Sequence, residues 1–162
     1  MQNLVVILGT NASGKSELGI RLANHLGGEV VSADSRQVYR GLDLGSGKIT
    51  PAQAGTVKHH LIDVADLADY FSLAQYQQAA YGAIDSISGA GKRPLLVGGT
   101  GLFISAIVEG YELVDGRHRE SPIAPGRTAR PTWGTVSGLD SEFCIRAWTD
   151  HAKRSEGVTL TH

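Results

Sequence analysis

The sequence predicts an α/β domain of three layers built on a mostly parallel sheet, followed by an irregular C-terminal tail, and three observations carry that prediction. The run Leu4-Val5-Val6-Ile7-Leu8 is short and apolar on both faces, the pattern of a strand buried in the middle of a parallel sheet. It passes directly into Gly9-Thr10-Asn11-Ala12-Ser13-Gly14-Lys15-Ser16, a complete G-x-x-x-x-G-K-[ST] loop, after which apolar residues turn to helical spacing. A second strand-like run, Pro94-Leu95-Leu96-Val97, opens in the same way into Gly98-Gly99-Thr100-Gly101, with Leu102, Phe103, Ala106 and Ile107 at helical spacing beyond it. The expected fold is therefore P-loop NTPase-like over residues 1–110, with a divergent tail at 111–162.

Length and composition bound the function. A chain of 162 residues is about one domain and long enough to bury a sizeable core. Lys plus Arg number 15 against 16 for Asp plus Glu, so no global basic field draws in nucleic acid and any RNA contact is local. The one cysteine, Cys144, excludes an intrachain disulfide framework and fits a reducing cytosol; with no catalytic Cys/His signature around it, it reads as a small apolar side chain. The sequence enters a strand without a basic n-region or long apolar stretch, and no apolar run approaches the roughly 18 residues of a membrane span. A cytoplasmic protein without membrane contact is expected.

In chain order, Asn3 to Leu8 is the first strand, and Leu18, Leu22 and Leu26 with Ile20 and Ala23 follow helical spacing until Gly27-Gly28 stops the helix. Glu29 to Ala33 is the second strand. It ends in Asp34-Ser35-Arg36-Gln37, polar residues just where α/β proteins place their chemistry, outside the carboxyl ends of strands. Arg40 to Thr56 is glycine-rich and without period, which predicts a surface loop. His59-His60-Leu61-Ile62-Asp63-Val64 predicts a third strand whose adjacent histidines face opposite ways, an arrangement that cannot share one metal ion. Leu73, Tyr76, Ala80, Ile84 and Ile87 fall on one face of a helix over Ser72 to Ser88, and Ser72 with Gln75 makes a capping box.

The loop from Gly9 to Ser16 is a phosphate site. Its glycines let backbone N–H groups turn toward an anion, Lys15 reaches terminal phosphate oxygens, the Ser16 hydroxyl joins a Mg²⁺ shell, and the following helix adds its positive end. The predicted diphosphate or nucleotide ligands are thus Gly9, Thr10, Asn11, Ala12, Ser13, Gly14, Lys15 and Ser16. Gly98 to Gly101 is either a tight strand-to-helix connection or a second turn lining the same sheet edge, with the Thr100 hydroxyl on offer.

Four segments occur in order: the phosphate loop, Ser32-Ala33-Asp34-Ser35-Arg36-Gln37-Val38-Tyr39, His59-His60-Leu61-Ile62-Asp63, and Val97-Gly98-Gly99-Thr100-Gly101-Leu102. Together they resemble the tRNA dimethylallyltransferase, or tRNA isopentenyltransferase, family, from Leu4 to about Gly110. The resemblance implies transfer of a dimethylallyl group from its diphosphate to the exocyclic amine of the adenine 3′ of the anticodon in tRNA. It implies that the loop holds dimethylallyl diphosphate, that Ser16 lies near Mg²⁺ as cofactor, and that Asp34 is the general base. It also implies that Asp34, Ser35, Arg36 and Gln37 meet tRNA, and that Thr100 stands at the junction of tRNA and substrate. No obligate protein partner is implied. An ordinary turn or helix-cap role for Asp34 is the competing reading of the residue itself.

The chain departs from the family in two places. The loop opens Gly9-Thr10-Asn11 where the family usually has Gly-Pro-Thr, and after Gly110 the family's continuing helical part, with its further tRNA contacts, is not found. The expectation is an altered or shortened member with impaired transfer. Two other functions compete with prenyl transfer: a small P-loop nucleotide kinase or NTPase in which Asp34 holds Mg²⁺, and a non-catalytic remnant that binds diphosphate or RNA. In the tail, Phe143 to Ala152 suggests one short helix. Arg117, His118 and Arg119, or Arg127 and Arg130, read as solvated loop, since no aromatic platform is interleaved for RNA.

Overall fold

Strands β1 (Leu4–Leu8), β2 (Gly28–Ser32), β3 (His59–His60) and β4 (Arg93–Gly98) run parallel in the order β3-β2-β4-β1. The computed structural model describes residues 4–113 and the backbone of two further strands, β5 (Thr132–Thr135) and β6 (Cys144–Thr149). These two continue the sheet beyond β1 in antiparallel pairing, β6 beside β1 and β5 outermost. The predicted mostly parallel sheet is present. A strand at Cys144–Thr149 replaces the short helix expected at Phe143 to Ala152, because the five-residue register with β1 satisfies its backbone across the sheet. The arginines and His118 named in the tail lie outside the described residues.

Alternation along the strands divides the core into two layers. Ile7, Val30, Leu95 and Val97 face helix α1 (Lys15–Leu26) through Ala23, Leu18 and Leu22. Val6, Val31 and Leu96 face helices α3 (Leu73–Gly89) and α4 (Gly101–Val108) through Tyr76, Ala80, Ile87, Phe103, Ile104 and Ile107. A sheet covered on both faces explains why its strands read as continuous apolar runs rather than as alternating ones.

The helix boundaries follow from their caps. Helix α1 ends where Gly27 takes the left-handed conformation with φ 62°, and α3 begins at the predicted capping box, with Ser72 Oγ accepting from Gln75 N and Gln75 Oε1 accepting from Ser72 N. The glycine-rich segment after Arg40 holds one short helix that periodicity did not reveal, α2 (Pro51–Ala54), with its own capping box from Thr50 and Gln53 and proline at its start. The third strand is shorter than His59 to Val64, since Leu61 and Asp63 sit at φ 62° and 57°, where an extended chain cannot continue.

Tyr76 ties this frame to the site. It is fully buried, stacks on Phe103 with centroids 3.8 Å apart and planes at 20°, and donates its hydroxyl to the Ser32 carbonyl at 3.1 Å. Burial raises its hydroxyl pKa above the ordinary tyrosine value, so it stays a neutral donor fixing the end of β2.

At the start of β2, Glu29 is 8% exposed and accepts from Lys92 Nζ at 2.7 Å while its other oxygen bonds His60 Nε2 at 2.6 Å. Hydrogen bonds from Lys92 and then His60 outweigh burial and hold its pKa below the ordinary 4.5. A depressed carboxylate pKa contributes stability that is present above the unfolded value and lost as pH falls through the folded one. Glu29→Gln is therefore expected to cost about 2 kcal/mol at pH 7, the value of charge-assisted hydrogen bonds, with the difference from wild type shrinking below about pH 4.5. Urea unfolding at both pH values checks this; an equal difference at pH 7 and pH 3 would show that the carboxylate charge is not what stabilises the cluster.

Candidate active site

Because β1, β2 and β4 are parallel, their carboxyl ends and the loops that follow lie at one edge of the sheet. From β1 comes Gly9 to Ser16, from β2 Asp34 to Gln37, and from β4 Gly99 and Thr100. A Cβ on Gly99 would stand 3.3 Å from the Gly9 carbonyl oxygen, 3.5 Å from Asn11 Oδ1 and 3.6 Å from Lys15 Cε, so the second glycine turn lies directly against the phosphate loop. Of the two readings of Gly98 to Gly101, the one that lines the site agrees with this geometry.

Within the loop, Gly14 takes φ 83° as the residue before α1, and Ala12 holds φ 61°, a conformation uncommon for a residue with a Cβ. Ser13 Oγ donates to the Thr10 carbonyl at 2.8 Å, closing the loop on itself. Lys15 is only 9% exposed, and its ammonium donates to the same carbonyl at 3.0 Å. An ammonium whose one partner among the described residues is a neutral carbonyl has donors to spare, which suits it to an incoming anion. Asn11 and Thr10 are exposed at the loop tip, and Ser16 opens the first turn of α1 with no hydrogen bond on its hydroxyl among the described residues.

Asp34 follows the end of β2. One of its carboxylate oxygens accepts from Arg36 N at 2.9 Å, a local turn bond that fixes the side chain, and the other oxygen has no partner among the described residues. The turn role and an outward-facing base are thus compatible in one residue. Thr100 precedes α4 but does not cap it; its hydroxyl oxygen accepts from Ser35 N at 3.0 Å, and its own N–H donates to the Ala33 carbonyl at 3.1 Å. It pins the turn carrying Asp34 to the turn carrying Gly99. Ser35 and Arg36 are exposed beside it.

Gln37 is used differently. Its Oε1 accepts from Ser32 Oγ at 2.9 Å, and its Nε2 donates to the carbonyls of Ser46 and Gly47 at 3.3 and 3.1 Å. The two histidines of the third motif diverge, as alternation requires: His60 bonds Glu29, and His59 Nδ1 bonds the Val57 carbonyl at 2.9 Å. Burial lowers the His59 pKa despite that carbonyl, leaving a neutral ring whose Nε2 has no partner among the described residues. Sequence reasoning missed Lys48. Its ammonium donates to the Tyr39 carbonyl at 2.7 Å, Asp43 Oδ1 at 2.8 Å and Asp63 Oδ1 at 2.6 Å, with a side chain 8% exposed. Burial works against its charge, but Asp43 and Asp63 outweigh it and raise the pKa above the ordinary lysine value.

No cluster of three His, Cys, Asp or Glu among the described residues forms a metal site by itself. A Mg²⁺ ion fits such a donor set only by sharing its shell with ligand phosphates and water, which is its usual habit, and the Ser16 hydroxyl and the Asp34 carboxylate are among the hard oxygens at this edge. No helix among the described residues is long and apolar enough to cross a membrane.

A glycine-rich G-x-x-x-x-G-K-[ST] loop on β1 and two polar turns on β2 and β4, gathered at one edge of a mostly parallel sheet, define a P-loop-type α/β domain. The particular family is given by likeness: the model of the IPP transferase family matches residues 37–135, and the chain belongs to that family. It is 51% identical over 112 residues to tRNA dimethylallyltransferase 2 of Shewanella sediminis, covering 69% of this chain and 37% of the relative. To tRNA dimethylallyltransferase 1 of Pelobacter propionicus it is 48% identical over 130 residues, covering 80% and 40%. Among solved structures it resembles the full-length tRNA isopentenylpyrophosphate transferase of Bacillus halodurans, with a TM-score of 0.68 and 45% identity over 71% of this chain and 38% of that one. A eukaryotic dimethylallyltransferase acting on tRNA gives 0.66 and 30%, over 75% and 30%. The chain thus spans well under half the length of the relatives it matches.

Proposed function

We propose that this chain binds dimethylallyl diphosphate in the loop Gly9 to Ser16 and transfers the dimethylallyl group to the exocyclic amine of the adenine 3′ of the anticodon in tRNA. The observation that carries the reading is that three turns meet at one sheet edge: Gly99 lies against the loop that carries Lys15, and Thr100 beside it pins the turn of Asp34, one of whose carboxylate oxygens has no partner among the described residues. Family membership supports the same reaction.

Lys15 and the loop N–H groups hold the diphosphate and take up charge as it leaves. The amine nitrogen of the adenine attacks the prenyl carbon, the carbon–oxygen bond to diphosphate breaks, and the amine proton passes to Asp34. Mg²⁺, held through Ser16 and the phosphate oxygens, would supply further neutralisation of the leaving pyrophosphate. Thr100 and Ser35 set the position of the base, and Ser35 and Arg36 offer exposed polar groups to RNA. The adenine must leave its stack for its amine to reach the carbon. On this reading the protein works in the cytoplasm, which a tRNA substrate and a single cysteine support.

Asp34→Asn keeps size and the turn bond but removes the basic lone pair, so prenyl transfer is expected to fall about 100-fold with diphosphate affinity little changed. Single-turnover transfer and calorimetry on the same variant check both halves. Undiminished transfer would assign the base elsewhere, and loss of Mg²⁺-nucleotide binding together with ATP turnover by wild type would favour a kinase or NTPase.

A further inference from the structure

The motif His59 to Asp63 has no place in the chemistry above, yet it ends in two non-glycine residues, Leu61 and Asp63, held at φ 62° and 57°. Left-handed backbone at such residues persists only where the surroundings impose it. What it achieves here is specific: Asp63 N donates to the Gln37 carbonyl at 3.0 Å while the Asp63 carboxylate meets Lys48 at 2.6 Å. We infer that Lys48 is a positioning residue, whose ammonium clamps the segment from Gly41 to Thr50 and the Asp63 corner onto the backbone at Tyr39 and so holds the turn that presents Asp34.

The connection is continuous. Lys48 fixes three elements at once, the Tyr39 carbonyl, Asp43 and Asp63. The clamped segment supplies the Ser46 and Gly47 carbonyls that receive both donations from the Gln37 amide, and the Gln37 oxygen in turn receives Ser32 Oγ at the end of β2. Val64 N and Ala65 N add bonds to the Val38 carbonyl at 2.8 and 2.9 Å. Asp34, Ser35 and Arg36 are therefore strung between two anchored points, Ser32 and Gln37. Gln37, expected from the resemblance to touch tRNA, has its amide committed to the protein and acts as the link between clamp and turn. A lysine suits the post because three separate acceptors converge on one point charge, which a planar guanidinium does not match.

The consequence for RNA rests on the prenyl-transfer reading; the clamp itself does not. In the full chain, Lys48→Met keeps the buried stem and removes the charge. Amide exchange is expected to quicken about tenfold in the segments 34–50 and 61–66, with exchange in β1 and β4 and the affinity for dimethylallyl diphosphate both within about twofold of wild type. The KM for tRNA should rise about tenfold more than kcat falls, a split that general loss of stability does not produce. Asp63→Asn, which tolerates the left-handed backbone and is half-exposed, should show the same pattern more weakly and keeps the test alive if Lys48→Met does not fold. Unchanged exchange over 34–37 in a folded variant would overturn the clamp. Quickened exchange with wild-type KM for tRNA would overturn its bearing on the site. Should wild type bind no tRNA, the function proposed above fails by itself, while the exchange at 34–37 still decides whether Lys48 holds the turn.

Discussion

Lys15→Ala is expected to lower the affinity for dimethylallyl diphosphate by about 100-fold or more. Lys15 is 9% exposed, and its ammonium has the Thr10 carbonyl, at 3.0 Å, as its one partner among the described residues, so no anionic group there compensates its charge. Two charge-assisted hydrogen bonds to phosphate oxygens are together worth about 3 kcal/mol or more, and that sum corresponds to the stated factor. The backbone cradle survives the change, since the left-handed Gly14 and the bond from Ser13 Oγ to Thr10 do not involve the lysine side chain. Calorimetry with dimethylallyl diphosphate and Mg²⁺ measures the effect; equal affinity in variant and wild type would mean that the loop is not the diphosphate site.

The second large effect concerns the fold at the same edge. A Cβ on Gly98 would lie 2.1 Å from the Ala33 carbonyl oxygen and 2.3 Å from its carbon, distances that no rotamer change relieves because both partners are backbone. Ala33 cannot retreat, since its N–H donates to Val97 at 2.8 Å and its carbonyl accepts from Thr100 at 3.1 Å. Gly98→Ala is expected to cost about 4 kcal/mol or more, a large share of the stability of a single domain. Three residues on, Gly101→Ala opens into free space at the first position of α4 and should be neutral or stabilising by up to about 1 kcal/mol. Denaturant unfolding of the two variants side by side checks the contrast, and near-equal midpoints would show that β2 and β4 do not approach as closely as described.

The parts of this molecule that were legible in its sequence are those fixed by local chemistry. The phosphate loop needs its glycines, lysine and serine in one short stretch, and α3 announces itself through Ser72, Gln75 and a repeating apolar face. The capping box at Thr50 and Gln53 is an equally local signal of α2. What was not legible depends on distant partners. Nothing near His59 says that the chain turns left-handed at Asp63, because the partners that hold it there, Lys48 and Gln37, are met only after folding. Cys144 to Thr149 is a strand through its register with β1, across most of the chain length, where local pattern suggested a helix. Motif and resemblance point to Asp34 and Thr100 as candidates, but the commitment of the Gln37 amide to Ser32, Ser46 and Gly47 is a property of the packed loop.

The central claim is that the loop from Gly9 to Ser16 holds a prenyl diphosphate for transfer rather than a nucleotide for hydrolysis. Incubating the chain with labelled dimethylallyl diphosphate, Mg²⁺ and unmodified tRNA, beside a parallel incubation with ATP, measures this directly. The account predicts label on the adenine 3′ of the anticodon, one pyrophosphate released per group transferred, and no tRNA-independent release of phosphate from ATP. Hydrolysis of ATP with no label reaching tRNA would contradict it.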